Sequence, residues 1–282
     1  SLTRPFGLHV QSDGSLFVAE YGGARVRKIT FTGNVISAAT AVVTTLAGAS
    51  NAVAGQADGP RASGQFNTPL GVTTDGAGLV FVVEINNNRI KLIDTNESTS
   101  SYGYLTSLVG TTTDAHLNAA GYDARFDQPT AIARDSLGNL FVTDFLGNNI
   151  RKITFTGVVS PATAVVSDHS YYWYKDQYDS NSGNNDGAVA SATFTSPRTI
   201  TVDSANNLYV YGSPFTGYTG LRRISSAGVV SSIRDVASPA VLSPSGNSGY
   251  GIAVDSTNST LYVAQSGSIM RGVPVPTLTS AT

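Results

Sequence analysis

The chain contains no cysteine, so it has neither disulfides nor thiolate metal sites. It has one methionine, one tryptophan and three histidines, His9, His116 and His169. An imidazole zinc site needs converging histidines, and no spacing in the sequence brings these three together. Charge is scarce as well. Charged residues make up 13% of the chain, about half the usual share, and Ser, Thr, Gly and Asn take their place. A net charge of −2 sets up no field that would draw in nucleic acid or an anionic membrane. No apolar run approaches the roughly 20 residues that a membrane-spanning helix needs, which excludes membrane insertion by a helix. Gly-x-Ser-x-Gly, phosphate-loop and His-Glu-x-x-His motifs are all missing. The chain begins at Ser1 and not at Met. It is therefore a processed chain or a fragment, a removed signal peptide being one explanation, and the low charge with many hydroxyls fits export, so a secreted or cell-surface protein is expected without the cytoplasm being excluded.

What is present is repetition. Pro69-Leu-Gly-Val-Thr-Thr-Asp75, Pro129-Thr-Ala-Ile-Ala-Arg-Asp135, Pro197-Arg-Thr-Ile-Thr-Val-Asp203 and Tyr250-Gly-Ile-Ala-Val-Asp255 are versions of one motif. Pro5-Phe-Gly-Leu-His-Val-Gln11 is a fifth, with Gln in place of Asp. Each version runs through a turn into a second segment, such as Leu16–Glu20 or Leu140–Asp144, and then a third, such as Arg25–Ile29 or Ile150–Ile153. Period-two alternation with dense turn signals predicts antiparallel strands. Val42–Leu46 and Tyr104–Leu108 read as fourth strands in the first two copies. The aspartates that close the first strand are expected to accept backbone N–H groups in Asx-turns. A period of about 50 to 70 residues built from short strands predicts a propeller or a similar array. The repeats run nearly end to end, so residues 1–282 read as a single domain.

Two columns run through the copies. Glu20, Glu84 and Asp144 form an acidic one, replaced by Gly212 and Gln265 in the last two copies. Arg27, Lys91, Arg151, Arg222 and Arg271 form a basic one, seven residues beyond the acid in the first three copies. Repetition at fixed spacing predicts structural pairs. Arg222 and Arg271 lack an acid in their own copies. They are therefore candidates, with Arg198, for holding a carboxylate or sulfate ligand. Backbone carbonyls are the alternative partners.

The motifs Pro-x-Gly-Ile-Ala-x-Asp, Gly-Asn-Leu-Phe-Val-x-Asp and Asn-Asn-x-Ile-Arg-Lys-Ile resemble those of the NHL-repeat β-propeller family. The segments Asp58-Gly-Pro-Arg-Ala-Ser-Gly-Gln-Phe66 and Asp186-Gly-Ala-Val-Ala-Ser-Ala-Thr-Phe194 resemble its bacterial secreted type. The resemblance covers nearly the whole chain. It implies an all-β propeller of four-stranded blades, and five repeats are visible where the family usually has six. The last copy ends soon after its third strand, so its blade is expected to lack a fourth. Related propellers include metal-dependent lyases and lactonase-like hydrolases that act in the central cavity. That alternative would use Glu20, Glu84, Asp144 and His9 as ligands or bases.

Alternating strand directions place the segment leading into the first strand and the loop after the second on one face. The variable residue of Pro-x-Gly lies there: Phe6, Leu70, Thr130, Arg198 and, by alignment, Tyr250. These either plug the axis or line a shallow ligand pocket. The segment 170–186 is an insertion with the only tryptophan, Trp173, and with Tyr171, Tyr172, Tyr174 and Tyr178. Its first half alternates as a strand of the third blade would. Its aromatic faces suit a glycan or protein partner. Asp176, Asp179, Asn181 and Asp186 offer oxygen ligands of the kind calcium uses, without EF-hand spacing. The sequence thus reads as a non-catalytic binding or assembly propeller. Its expected partner is a protein, a glycan or a second copy in an oligomer or filament, through an unpaired edge of the last blade.

Overall fold

Each repeat's alternation is realised as a small antiparallel sheet. We analysed a computed structural model of the chain, which describes residues 1–49, 51–172, 183–212, 220–233, 251–255, 260–265 and 268–274. The first sheet is β1 (Pro5–Val10), β2 (Leu16–Glu20), β3 (Arg25–Phe31) and β4 (Ala41–Ala47), hydrogen-bonded in that order. The second repeats it with β5 (Pro69–Thr74), β6 (Leu79–Glu84), β7 (Arg89–Asp94) and β8 (Leu105–Gly110). The third comprises a short β9 (Ala119–Ala120), β10 (Pro129–Arg134), β11 (Leu140–Asp144), β12 (Asn149–Phe155) and β13 (Ala164–Asp168), with β9 added beside β13. The fourth has β14 (Gly187–Ala188), β15 (Pro197–Val202), β16 (Leu208–Gly212), β17 (Leu221–Ile224) and β18 (Val229–Ser232). Its β14 lies beside β18. The last has β19 (Gly251–Asp255), β20 (Thr260–Gln265) and β21 (Ser268–Pro274), and among the described residues it is three-stranded. No helix among the described residues is long and apolar enough to cross a membrane.

By internal packing the chain forms two units, Ser1–Ile132 with Thr154–Val166 and Ala133–Ile153 with Ser167–Thr282. In the first unit, Phe17, Ala19, Val26 and Leu46 of the first sheet pack against Val72, Val80, Val82, Ile93 and Leu105 of the second, with Phe66 between them. In the second unit, Tyr209, Tyr211 and Leu221 pack against Leu261, Val263, Ile252 and Val254. Apolar side chains removed from water supply the main favourable term in both cores.

Three local devices fix the sheets. The predicted Asx-turns form. Asp75 Oδ1 accepts from the Ala77 and Leu79 amides, both at 2.8 Å. Asp135 and Asp203 do the same for Leu137 and Asn139, and for Ala205 and Asn207. In the first repeat, where Gln11 replaces the acid, Asp13 takes the Ser15 amide. Second, a β-bulge falls at Pro-x-Gly. Pro5 faces Glu20 and Leu8 faces Val18; Pro69 faces Glu84 and Val72 faces Val82. Third, the residue before each proline is left-handed without being glycine: Arg4, Thr68, Gln128 and Ser196, with φ between 41° and 60°. Asn88 Oδ1 accepts the Gln128 amide at 2.9 Å and Asn148 Oδ1 the Ser196 amide at 2.8 Å, which helps hold this disfavoured conformation.

The insertion differs from expectation. The fourth strand of the third sheet is β13, which precedes it. Ala164 and Val166 of β13 are buried and Val165 is exposed, so the alternation that mattered lies upstream. Ser170–Tyr172 stands outside any strand, and residues 173–182 lie outside the described residues.

Candidate functional site

The acidic column ends the second strand of each of the first three sheets, opposite the bulge. Its members are fully buried and heavily engaged. Glu20 accepts the Thr3 amide at 2.9 Å and pairs with Arg25 and Arg27 at 3.4 Å each. Glu84 accepts the Asn67 amide at 2.8 Å, Asn87 Nδ2 at 2.9 Å and Arg89 Nε at 2.6 Å. Burial pushes the Glu84 carboxyl up, against the opposite pull of Arg89 and Lys91. Asp144 pairs with Arg151 at 3.2 Å. These carboxylates tie the segment leading into the first strand to the ends of the second and third strands. The seven-residue pairing holds for Glu20–Arg27 and Asp144–Arg151, but not in the second repeat. There the guanidinium of Arg89, at the start of β7, takes Glu84, and Lys91 turns to Asp58 at 3.0 Å.

In the second and fourth repeats the basic column meets a second acid, in the segment that precedes the first strand. Asp58 accepts the Ser107 amide and hydroxyl at 2.8 and 2.9 Å as well as Lys91. Burial raises its carboxyl, but Ser107 and Lys91 outweigh that and hold it below the ordinary carboxylate range. Asp186 accepts the Ser232 amide and hydroxyl at 2.8 and 3.1 Å and pairs with Arg222 at 2.8 Å. Arg222 also donates to the carbonyls of Thr193 and Asn185 and lies over the Phe194 ring at 4.6 Å. The carboxylate that meets Arg222 comes from Asp186, 36 residues upstream and itself a candidate calcium ligand, so these two candidates engage each other. In the third repeat the second acid stands instead on the fourth strand: Asp168, at the end of β13, pairs with Arg151 at 3.2 Å. The sequence signal for this second set was the Asp-Gly that opens 58–66 and 186–194, followed eight residues later by Phe.

The variable residues of Pro-x-Gly separate by environment. Phe6 is exposed, whereas Leu70 and Thr130 are buried. Arg198 is half-buried, with its guanidinium 4.5 Å from the Phe145 ring centroid. Phe145 follows the second strand of its repeat and Arg198 begins the first strand of the next, so these two loop regions share a face as predicted. Tyr250 lies outside the described residues, as does the side chain of Arg271. Tyr171 and Tyr172 are half-buried, and the Tyr171 amide donates to the Val189 carbonyl at 3.2 Å. Trp173, Tyr174, Tyr178, Asp176, Asp179 and Asn181 lie outside the described residues.

No protein-family model and no curated protein matches the chain. Solved structures do. A gluconolactonase-like protein aligns with a TM-score of 0.56 at 11% identity, over 95% of this chain and 73% of its own. An auxiliary nutrient binding protein from Bacteroides ovatus aligns with a TM-score of 0.55 at 11% identity, over 92% of this chain and 56% of its own. Virginiamycin B lyase from Staphylococcus aureus aligns with a TM-score of 0.50 at 17% identity, over 97% of this chain and 71% of its own. The fold is a β-propeller. The chain spans little over half the length of the nutrient binding protein, and likeness at these identities carries the fold alone.

Within the propeller, each sheet is a blade. The three histidines are dispersed among its loops and strands. His9, on β1, has Nδ1 3.4 Å from Thr73 Oγ1, and burial lowers its pKa. His169 packs edge-on to Phe141, with ring centroids 4.7 Å apart. Its pKa is lowered to about 4, first by burial and then by Lys152, against an upward pull from Asp135. Among the described residues no three His, Asp or Glu side chains come together as a metal-binding group.

Proposed function

We propose that this chain is an exported NHL-type propeller, one repeat domain over residues 1–282, that binds a protein or glycan partner without catalysing a reaction on it. The observation that carries the reading is the engagement of the acidic column. An enzyme acting in the cavity through Glu20, Glu84 and Asp144 needs carboxylates that face substrate or metal. Here each is fully buried against at least one arginine. Buried, paired and repeated carboxylates belong to the framework, because stripping one of its partner costs roughly 3–5 kcal/mol.

The binding surface we assign is centred on the Arg198–Phe145 pair; Phe6, Leu70, Thr130 and Tyr250 hold the equivalent positions of the other repeats in the sequence. A guanidinium fixed over a ring is a flat, positively charged platform for aromatic, sugar or acidic groups. The aromatic residues Tyr171, Tyr172, Trp173, Tyr174 and Tyr178 of the insertion are proposed as a second contact for the partner. A propeller that binds nutrients and propellers described as lyase and gluconolactonase share the fold, so the fold favours neither class. The reading includes no resident cofactor. Calcium on Asp176, Asp179 and Asn181 is the alternative, and a rise in melting temperature on adding calcium, reversed by a chelator, would establish it.

The test is an array of glycans and peptides probed with the intact chain, followed by titration of the hits. Arg198→Ala is expected to weaken binding at least tenfold with an unchanged melting temperature. Turnover of a lactone panel, abolished by Glu84→Gln at an unchanged melting temperature, would overturn the reading.

A further inference from the structure

The chain holds two Asn-x-Ser/Thr triplets without a central proline, Asn96-Glu97-Ser98 and Asn258-Ser259-Thr260. Such a triplet is the acceptor signal for N-linked glycan and works where the asparagine reaches the surface. The two differ in place. Asn96, Glu97 and Ser98 lie in the loop between β7 and β8, and all three are exposed. Thr260 begins β20 and is buried, and Asn258 lies outside the described residues. Asn96 stands where the first and third repeats have Thr32 and Thr156, since Ile93 faces Val80 as Ile29 faces Leu16 and Ile153 faces Leu140. The blade itself therefore does not call for an asparagine there.

Hydrogen bonding fixes which way the Asn96 carboxamide is presented. Its Oδ1 accepts the Ser98 amide at 3.1 Å and the Ser98 hydroxyl at 2.6 Å. A backbone amide can only donate, so the atom it meets is the oxygen, and Nδ2 is left without a partner among the described residues. This is an Asx-turn in which the hydroxyl two residues on is already bound to the carboxamide. A donor on the oxygen makes the Nδ2 protons more acidic, and an amide nitrogen becomes a nucleophile only as it loses a proton. Two flanking contacts hold the turn. Asp94 Oδ1 accepts the Asn96 amide at 2.8 Å, and Glu97 pairs with Lys28 of β3 at 3.0 Å.

We infer that Asn96 is an acceptor site for an N-linked oligosaccharide. In the transfer, Nδ2 attacks the anomeric carbon of a lipid-pyrophosphate-linked oligosaccharide. A C–N bond forms as the C–O bond to pyrophosphate breaks. The lipid pyrophosphate leaves with that electron pair, and the Nδ2 proton passes to a base of the transferase. The inference rests on the export part of the proposed function, because this transfer takes place on the side of a membrane away from the cytoplasm. The loop joins the third and fourth strands, so it lies at the opposite end of its sheet from Pro69-Leu-Gly71. A glycan there stays clear of the position proposed for binding in that blade.

The test is transfer in vitro to the purified, folded full chain, which does not depend on export. The probe is a detergent-solubilised single-subunit oligosaccharyltransferase with its lipid-linked oligosaccharide. It is of the kind that requires an acid two residues before the asparagine, as Asp94 is here. Intact mass is expected to rise by one glycan, and peptide mapping to place it on Asn96. Asn96→Gln and Ser98→Ala are expected to abolish the gain with unchanged melting temperatures, and Ser98→Thr to keep it. Asn258, which has Ser256 two residues before it, is expected to stay bare. A flexible sequon appended to the C-terminus of the same chain reports that the enzyme is active. Glycan on the appended sequon with Asn96 bare would overturn the inference. So would modification of Asn96 only after the chain is unfolded, because the folded loop would then not be the acceptor. Export is read by cell fractionation and binding by titration, so these readings fail separately.

Discussion

Gly7 sits where β1 meets β5, and a methyl group at its Cβ position would fall on the Leu70 carbonyl oxygen. Gly71 is held in the same way, with Ala131 Cα 2.8 Å from that position. The glycine of Pro-x-Gly is thus a spacing residue between innermost strands. Gly7→Ala is expected to destabilise folding by about 1–3 kcal/mol, as overpacking does, and denaturant melts would read it. A second residue-scale prediction concerns His169. Its ordinary pKa of 6.5 applies to the unfolded chain, and its folded value is about 4. Between these values the unfolded chain takes up a proton that the folded chain refuses. Stability from this group is therefore complete above about pH 6.5 and is lost as pH falls towards 4. His169→Gln is expected to flatten that fall in melts taken from pH 4 to 7, and an unchanged pH profile would show that the histidine is not the titrating group. The third is a comparison. Arg151→Ala, which leaves Asp144 buried without its guanidinium, is expected to cost about 3–5 kcal/mol. Lys28→Ala, which breaks an ion pair to the exposed Glu97, is expected to cost no more than about 1 kcal/mol. Equal melting temperatures for the two would contradict the structural role of the column.

At the scale of the element, the lead-in segments do more than connect blades. Asp58 and Asp186 each clamp a backbone amide of the last strand of the blade, at Ser107 and Ser232, and bind the basic column from the other side. Asp186→Ala is expected to speed hydrogen exchange at Ser232 and its neighbours in β18 while amides of β15 and β16 keep their protection. Uniform change across the blade would assign the acid a global role instead. How much of this could be read beforehand differs by element. Strand positions, the Asx-turns at Asp75, Asp135 and Asp203, and the pairs Glu20–Arg27 and Asp144–Arg151 follow from short-range periodicity and fixed spacing. Arg222 did not, because its partner lies 36 residues away in a segment whose acid resembles an ordinary turn residue. The switch of Glu84 to Arg89 was hidden for a different reason: two cations two residues apart on β7 point the same way, and reach alone decides between them. The left-handed residues before each proline carry no compositional mark at all, since Arg4, Thr68, Gln128 and Ser196 share no side-chain chemistry.

At the scale of the molecule, the five repeats give five sheets among the described residues, and the first four carry a buried ion pair on the basic column or beside it. Under the proposed reading, function rests on positions that vary between repeats, Arg198 first among them. The buried carboxylates serve either as framework or as chemistry, and stability separates the two. A framework acid replaced by its amide leaves a buried arginine without its countercharge. A catalytic acid held in a strained, preorganised site tends instead to be neutral or stabilising to replace. The decisive measurement is the melting temperature of Glu84→Gln against that of the wild type at neutral pH. A fall of about 5 °C or more is predicted, following from a loss of a few kcal/mol in a chain of this size. An unchanged or raised melting temperature would contradict the account and return the acidic column to the list of candidate catalytic groups.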